Sequence, residues 1–347
     1  KLGRIAGRTL IGFFLFYVCG AFLAGIVAYA VKSAGFFNVT LPSEAVTDAA
    51  TLDAFNPLAT IVNAVPSNIA AAFSSNNSIL AVVVVAIIIG LCMNALGEKA
   101  DPLKKVLESV NEIIQLYLTF LINKVGPIAI FCLISRTFAI YGTEYLAPAA
   151  AYIVAAMVTL FVLVVTIYPI GIWVTTKMNP IKFIKKIAKV GVFGFSTNSS
   201  AACLPLNTRT CIDELGCSEE STSFVLPTGM TINMNGTTVM HMFAATFIAT
   251  SAGIDVTPAN LATIAFLSIC AAMGCPAIPI AGTTLIVTIL SGLAWTSDAC
   301  MIAYALVVAI NRPVEMALLP LNVIGDATVN VIVNAKEKEL DKEKYNS

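Results

Sequence analysis

Four residues near the end of the chain have types and spacing suited to holding an ion or a charged solute. Glu315, Leu319, Asn322 and Asp326 follow one another by four, three and four positions. On a helix they fall in one stripe, so both carboxylates and the amide face one line. Their neighbours are apolar, and an ionisable side chain at the bilayer centre costs about 2.5 to 3.5 kcal/mol on insertion scales, so this stripe cannot face lipid. Asp326 has no basic residue within a turn on either side, which favours a bound cation or a proton over a local ion pair. Glu315 has two readings, because Arg312 stands three residues before it: a site carboxylate, or an i,i+3 ion pair near the membrane surface. Pro320 removes a backbone donor and frees the carbonyl of Met316, so the helix is expected to unwind there.

A second polar stretch, Asn233-Met234-Asn235-Gly236-Thr237, lies inside another apolar run. Its glycine lets the chain unwind, and exposed carbonyls are hard oxygen ligands for a dehydrated alkali cation. The plainer alternative is a satisfied polar contact between helices. His241, further along the same run, reads as a satisfied buried histidine rather than a proton relay. Two further segments are broken: Phe195-Ser196-Thr197-Asn198-Ser199-Ser200, and Gly274-Cys275-Pro276-Ala277-Ile278-Pro279 followed by Gly282. Prolines and hydroxyls there leave helix ends at membrane depth.

The whole chain says what must position these residues. It has 347 residues, 58% apolar and 12% charged, with mean hydropathy +0.88. A soluble domain carries about 25% charge, so a water-soluble globule is excluded. Net charge is zero, with no basic patch, which excludes nucleic acid as a partner. The partner is the lipid bilayer. Runs long enough to span lie at 9–31, 78–96, 113–140, 146–176, 222–253 and 297–334. Basic residues cluster before the first run, at 99–105, at 177–189 and after 335, while 33–77 has only acids. The N-terminus, two loops and the tail are therefore expected on the cytoplasmic side of the plasma (inner) membrane. This alternation closes only if 191–216 and 256–290 enter and leave on one side, as re-entrant hairpins. Hairpin and polar-centred helix then occur twice, from opposite sides. Such inverted halves with discontinuous helices point to a transporter's binding site. The nine cysteines show no paired spacing and read as small apolar side chains, neither disulfides nor a zinc site. Asn38-Val39-Thr40 and Asn76-Asn77-Ser78 match the glycosylation sequon, a pattern frequent by chance.

Taken in order, Leu2-Gly3-Arg4, Val65-Pro66-Ser67-Asn68, Gly126-Pro127-Ile128, the serine-rich first hairpin, the Asn233–Thr237 stretch and Asn322-Val323-Ile324-Gly325-Asp326 resemble the dicarboxylate/amino acid:cation symporters, including the glutamate-transporter homologues. The resemblance runs over nearly the whole chain. It implies an all-α membrane protein with inverted repeats, two re-entrant helical hairpins and two broken transmembrane helices. It implies a homotrimer with an elevator-like moving domain: 1–31 within that domain, 32–145 as scaffold with an extracellular loop at 32–77, 146–190 as a connecting span and loop, 191–334 as transport core and 335–347 as a charged cytoplasmic tail. The family has two further spans before the Leu-Gly-Arg segment, so the chain is expected to be a truncated or partial member. By position, the resemblance puts one sodium ion on carbonyls of Gly229, Asn233 and Asn322 with the Asp326 carboxylate. A second falls on carbonyls of Thr231, Ala272, Met273 and Cys275. A third is expected to be absent or weak, since the family's aspartate is Asn235 here and its hydroxyl pair aligns with Phe16 and Tyr17.

Substrate is expected among Asn198, Ser199, Ser200, Thr237, Ile278, Gly282, Glu315, Leu318, Leu319 and Asn322. The arginine that pairs an acidic side chain in the family is Leu318 here, its neighbouring threonine is Leu319, and the first-hairpin arginine is Asn198. Glu315 takes the place of the aspartate that binds the substrate's amino group. A carboxylate without a cation cannot stabilise a second substrate carboxylate, so a small neutral amino acid is expected, coupled to sodium or to a proton, with no cofactor. Arg312 is the rival cation, but it lies about 240° around the helix from Leu318, a poor exchange of position. Alternatives are an acidic amino acid or C4-dicarboxylate, and a passive channel. An aspartyl hydrolase needs its acids about 3 Å apart, and Glu315 and Asp326 stand about 16 Å apart along one helix, so no enzyme is expected.

Overall fold

A computed structural model describes residues 2–39, 65–74, 79–120, 146–275, 277 and 280–347, with scattered positions between 124 and 139. Among the described residues every regular element is helical. The Asn76-Asn77-Ser78 sequon, most of the 32–77 loop and most of 121–145 lie outside them.

Helix α1 (Leu2–Ser33) is long enough to cross a bilayer. Ile5, Thr9, Phe13, Tyr17, Ala21, Ala24 and Ala28 are buried along one stripe, while Ile11, Phe14, Leu15 and Phe22 stay exposed on the other. That division suits a helix with protein on one side and lipid on the other. Helices α2 (Ile69–Ser74), α3 (Ile79–Leu96) and α4 (Asp101–Phe120) follow, with a 3₁₀ turn at Gly97–Ala100 before α4. Ile88, Leu91, Leu107, Ile113, Leu116 and Phe120 on these helices are exposed. Helix α5 (Leu146–Thr176) buries Tyr152, Ala156, Leu160, Leu163, Tyr168 and Ile172 and exposes Val154, Val158, Phe161 and Trp173.

The 177–189 region differs from its reading as a loop. Asn179 caps a helix by accepting from the Ile181 amide at 2.9 Å, Pro180 fills the first position, and α6 (Pro180–Thr197) runs on into the polar segment. The lysines were the misleading signal: Lys182, Lys185, Lys186 and Lys189 lie on one face, while Phe183, Ile187 and Val190 are buried on the other. Asn198 turns the chain in the left-handed region (φ 49°), and Ser199 caps α7 (Ser200–Asp213). The first helix pair therefore begins at residue 180, not 191.

The 222–253 run is broken as expected, into α8 (Glu219–Ile232) and α9 (Asn235–Ser251). Helix α10 (Pro258–Met273) opens with a capping box between Thr257 and Asn260, and α11 (Ala281–Thr284) and α12 (Ile286–Gly292) return from it. The final run divides into α13 (Asp298–Ile310) and α14 (Arg312–Glu337). The division falls at Asn311. Pro320 sits inside uninterrupted helix, so the expected unwinding there does not occur: one missing hydrogen bond does not break a helix that neighbours hold on all sides.

Helices α9 and α14 are buried almost throughout and form the centre, packed on α1, α5 and α6. Lys32 pairs with Asp255 (2.6 Å) at one end of α1, and Arg4 and Arg8 pair with Glu337 (2.8 and 2.5 Å) at the other. The charged tail is docked on the helices. Helix α15 (Lys342–Asn346) buries Tyr345, whose hydroxyl donates to the Asn179 carbonyl (3.0 Å). The Lys186 ammonium donates to the carbonyls of Glu214, Lys344 and Tyr345 (2.8, 2.8 and 3.0 Å), tying the tail to the base of the first pair.

Candidate substrate and cation site

The break between α8 and α9 leaves backbone groups without helical partners. Tyr17 serves two of them: its hydroxyl donates to the Ile232 carbonyl and accepts from the Met234 amide, both at 2.6 Å. The Asn233 amide nitrogen donates to Asp326 Oδ1 (2.8 Å) and to the Asn322 carbonyl (3.1 Å). Asn322 Oδ1 accepts from the Gly236 amide (2.7 Å), so the side chain of one central helix caps the other. Asp326 is 3% exposed, and among the described residues no basic side chain pairs with it.

Two glycines make these approaches feasible. A Cβ on Gly229 would collide with Asp326 Oδ1 and Phe13, and one on Gly325 would meet the Tyr168 hydroxyl and Asn233 Nδ2. The Gly229 carbonyl accepts from the Asn233 backbone amide (2.7 Å) and the Asn322 carbonyl from Asn233 Nδ2, so both lie around Asn233, whose Oδ1 is buried without a hydrogen-bond partner. Oxygen donors of this kind suit an alkali cation. Among the described residues no three of His, Cys, Asp and Glu converge, so nothing resembles a transition-metal site.

Asn235 is buried next to this cluster, donating to the Tyr168 hydroxyl (3.3 Å) and leaving Oδ1 without a partner. Phe16 covers Tyr168 edge-on, ring centroids 5.1 Å apart. Where two hydroxyls were sought, Phe16 supplies none and that of Tyr17 is committed to the helix break. Ala272 and Cys275 are buried beside Tyr17 and Met234, while Thr231 and Met273 are exposed. The backbone amides of Gly274 and Cys275 take up the Ala272 carbonyl.

A pocket opens above this cluster. Asn198, Ser200, Thr237, Gly282, Glu315, Leu318, Leu319 and Asn322 line it, together with Met234, Cys275, Ala277 and Ile280. Ser199 caps α7 and donates to the Ala277 carbonyl (3.3 Å), which joins the tips of the two broken segments. Ile278 lies outside the described residues. Gly282 is a close-approach position, since a Cβ there would meet Thr237, and its carbonyl is 2.8 Å from His241 Nε2. Leu318 and Leu319, 5% and 6% exposed, give one apolar wall.

Glu315 unites its two readings: it lines the pocket, and its Oε2 is 3.3 Å from Arg312 Nη1. With its amide oxygen turned toward the guanidinium, Asn198 accepts from Arg312 (2.6 Å) and donates to the Glu315 carbonyl (2.9 Å). The expectation of a carboxylate without a cation is corrected. Arg312 reaches Glu315 and Asn198 from outside the pocket lining, with its side chain 45% exposed.

Several polar residues at the site were not singled out in the sequence. The Tyr168 hydroxyl donates to the Leu321 carbonyl (2.7 Å) and Asn207 to that of Val323 (2.9 Å), flanking the Asn233 bond to Asn322. Three successive carbonyls of α14 are thus held from three elements. The available signal was their polarity inside apolar runs, where an unpaired amide or phenol is costly.

The family model described as "Sodium:dicarboxylate symporter family" matches residues 1–336. The chain is 28% identical to a C4-dicarboxylate transport protein of Cupriavidus pinatubonensis, over 99% of this chain and 79% of that one. It is likewise 28% identical to a proton/sodium-glutamate symport protein of Bacillus caldotenax, over 99% and 81%. Excitatory amino acid transporter 2 of Mus musculus is 29% identical over 78% of this chain and 47% of its own.

Proposed function

The chain belongs to the sodium:dicarboxylate symporter family, a family of membrane transporters and not of enzymes, and on that premise we propose that it couples uptake of a small neutral amino acid to a sodium gradient. Asn322 carries this reading. Its side chain lines the pocket, and its carbonyl belongs to the oxygen cluster around Asp326, so solute and cation share one residue. A cation held at Asp326 orders Asn322 and Asn233, and with them the α8–α9 break that forms the pocket floor. The solute's ammonium pairs with Glu315, its carboxylate meets the Ser200 end of α7, and Leu318 and Leu319 accept a short uncharged side chain. A proton is the alternative coupling ion. The carbonyls of Thr231, Ala272, Met273 and Cys275 make a second cation position.

In this reading the pairs α6–α7 and α10–α12 are re-entrant hairpins from opposite faces of the inner membrane, and 1–31 with 180–334, its start moved to that of α6, moves as one body. The apolar faces of α3 and α4 form the scaffold of a homotrimer, with both ends of the chain cytoplasmic.

A second reading has its own support. Arg312 places a guanidinium beside Glu315 and Asn198, and the relatives' names include C4-dicarboxylate and glutamate transport. Here Arg312 leaves Glu315 for the second carboxylate of an acidic solute. Calorimetric binding to the purified protein in sodium decides between them. Alanine, serine or threonine binding more tightly than aspartate and succinate supports the neutral reading. Aspartate or succinate binding at least as tightly refutes it.

A further inference from the structure

A line of buried donors runs from α5 into the pocket. The Tyr152 hydroxyl donates to Asn311 Oδ1 (2.6 Å), Asn311 Nδ2 to Thr283 Oγ1 (2.6 Å), and Thr283 Oγ1 to Glu315 Oε1 (2.5 Å). Its members are 0%, 1%, 2% and 4% exposed in that order. Their direction is fixed by chemistry. An amide oxygen only accepts and an amide nitrogen only donates, so Tyr152 must give its proton to Asn311, and Asn311 must give one to Thr283. Thr283, already accepting, turns its own hydrogen to Glu315. The other oxygen, Oε2, faces Arg312. Both carboxylate oxygens therefore meet donors.

The line also crosses elements. Thr283 belongs to α11, the short return helix after the second broken segment, and Glu315 to the first turn of α14. Asn311 stands where α13 gives way to α14, just before Pro313, whose missing N–H ends the helical ladder there. Gly282, beside Thr283, lines the pocket and is held through its carbonyl by His241. Seating α11 thus does two things at once: it closes one pocket wall and delivers the donor that orients Glu315.

We propose that Thr283, aligned by Tyr152 and Asn311, is a positioning residue that sets the Glu315 carboxylate for the solute. This rests on Glu315 as the solute's partner. Through it, the polar line governs solute affinity and leaves the Asp326 cluster untouched.

The test is initial-rate uptake in proteoliposomes, using whichever solute the wild type transports. A hydrogen bond to a charged group contributes about 1.5 to 3 kcal/mol, so Thr283→Val should raise KM about 10-fold or more with Vmax and half-saturating sodium within about 3-fold. Thr283→Ser restores the hydroxyl and should bring KM back to within about 3-fold of wild type. Tyr152→Phe, which removes only the first donor, should raise KM by about 2- to 5-fold. If Thr283→Val does not elute as wild type in detergent, Thr283→Ser and Tyr152→Phe carry the test. A wild-type KM in Thr283→Val or in Tyr152→Phe overturns the proposal, as does a folded Thr283→Ser that stays as weak as the valine variant. A wild type that takes up only acidic solutes refutes the neutral-substrate reading separately, and the same ratios are then taken with the acidic solute.

Discussion

Asn233 and Asp326 meet across the break between α8 and α9, the amide nitrogen of one 2.8 Å from Oδ1 of the other. The same nitrogen gives its second hydrogen to the Asn322 carbonyl, while the amide's own oxygen is buried without a hydrogen-bond partner among the described residues. A buried acceptor without a donor, next to a buried carboxylate, is costly unless something positive joins it. The coupling cation proposed for this site would fill that role.

Gly229→Ala tests how tightly this cluster is built. The added methyl would overlap Asp326 Oδ1 and Phe13, so these side chains must shift. Overpacking of this kind costs about 1 to 3 kcal/mol, so thermal stability should fall by that order and half-saturating sodium should rise. A variant with wild-type stability and wild-type sodium affinity would show that the close approach is unimportant.

Asn235 bears on stoichiometry. An amide lacks the charge to compensate a third bare cation, Phe16 offers no oxygen, and the Tyr17 hydroxyl is engaged with Ile232 and Met234. Reversal-potential measurements should therefore give fewer than about three sodium ions per solute. A measured coupling of three would mean that other oxygens have taken over.

Arg312→Ala separates the two substrate readings. If the solute is neutral, the guanidinium only steadies Glu315 from the mouth of the pocket, where its side chain is 45% exposed, and affinity should change by less than about 5-fold. If the solute is acidic, its second carboxylate loses its partner and affinity should fall about 30-fold or more. Binding isotherms for alanine and for aspartate read this directly.

The fold was legible where it depends on hydropathy alone. Long apolar runs found α1 and α5, and the polar Asn233–Thr237 stretch pointed to the α8–α9 break, although the chain leaves the helix at Asn233 and Met234 while Gly236 is helical and allows close approach to Leu318. What escaped depended on contacts between elements. Four lysines hid α6 because their partners, Glu214 and the docked tail, come from elsewhere in the chain. Pro320 drew attention from Asn311, whose role exists only through Tyr152, Met240 and Thr283. Likewise the i,i+3 spacing gave the Arg312–Glu315 pair, while the Asn198 contact that joins it to the first helix pair comes from another element. The stripe from Glu315 to Asp326 was visible because it lies on one helix, whereas the donors that set it are spread over α5, α7 and α11.

Sodium-driven uptake of labelled alanine into proteoliposomes, compared between wild type and Asp326→Asn, tests the coupling most directly. Wild type should accumulate alanine under an inward sodium gradient and not without one, and the folded variant should lose that dependence. Equal flux with and without a cation gradient, or wild-type sodium dependence in Asp326→Asn, would contradict cation-coupled symport through this site.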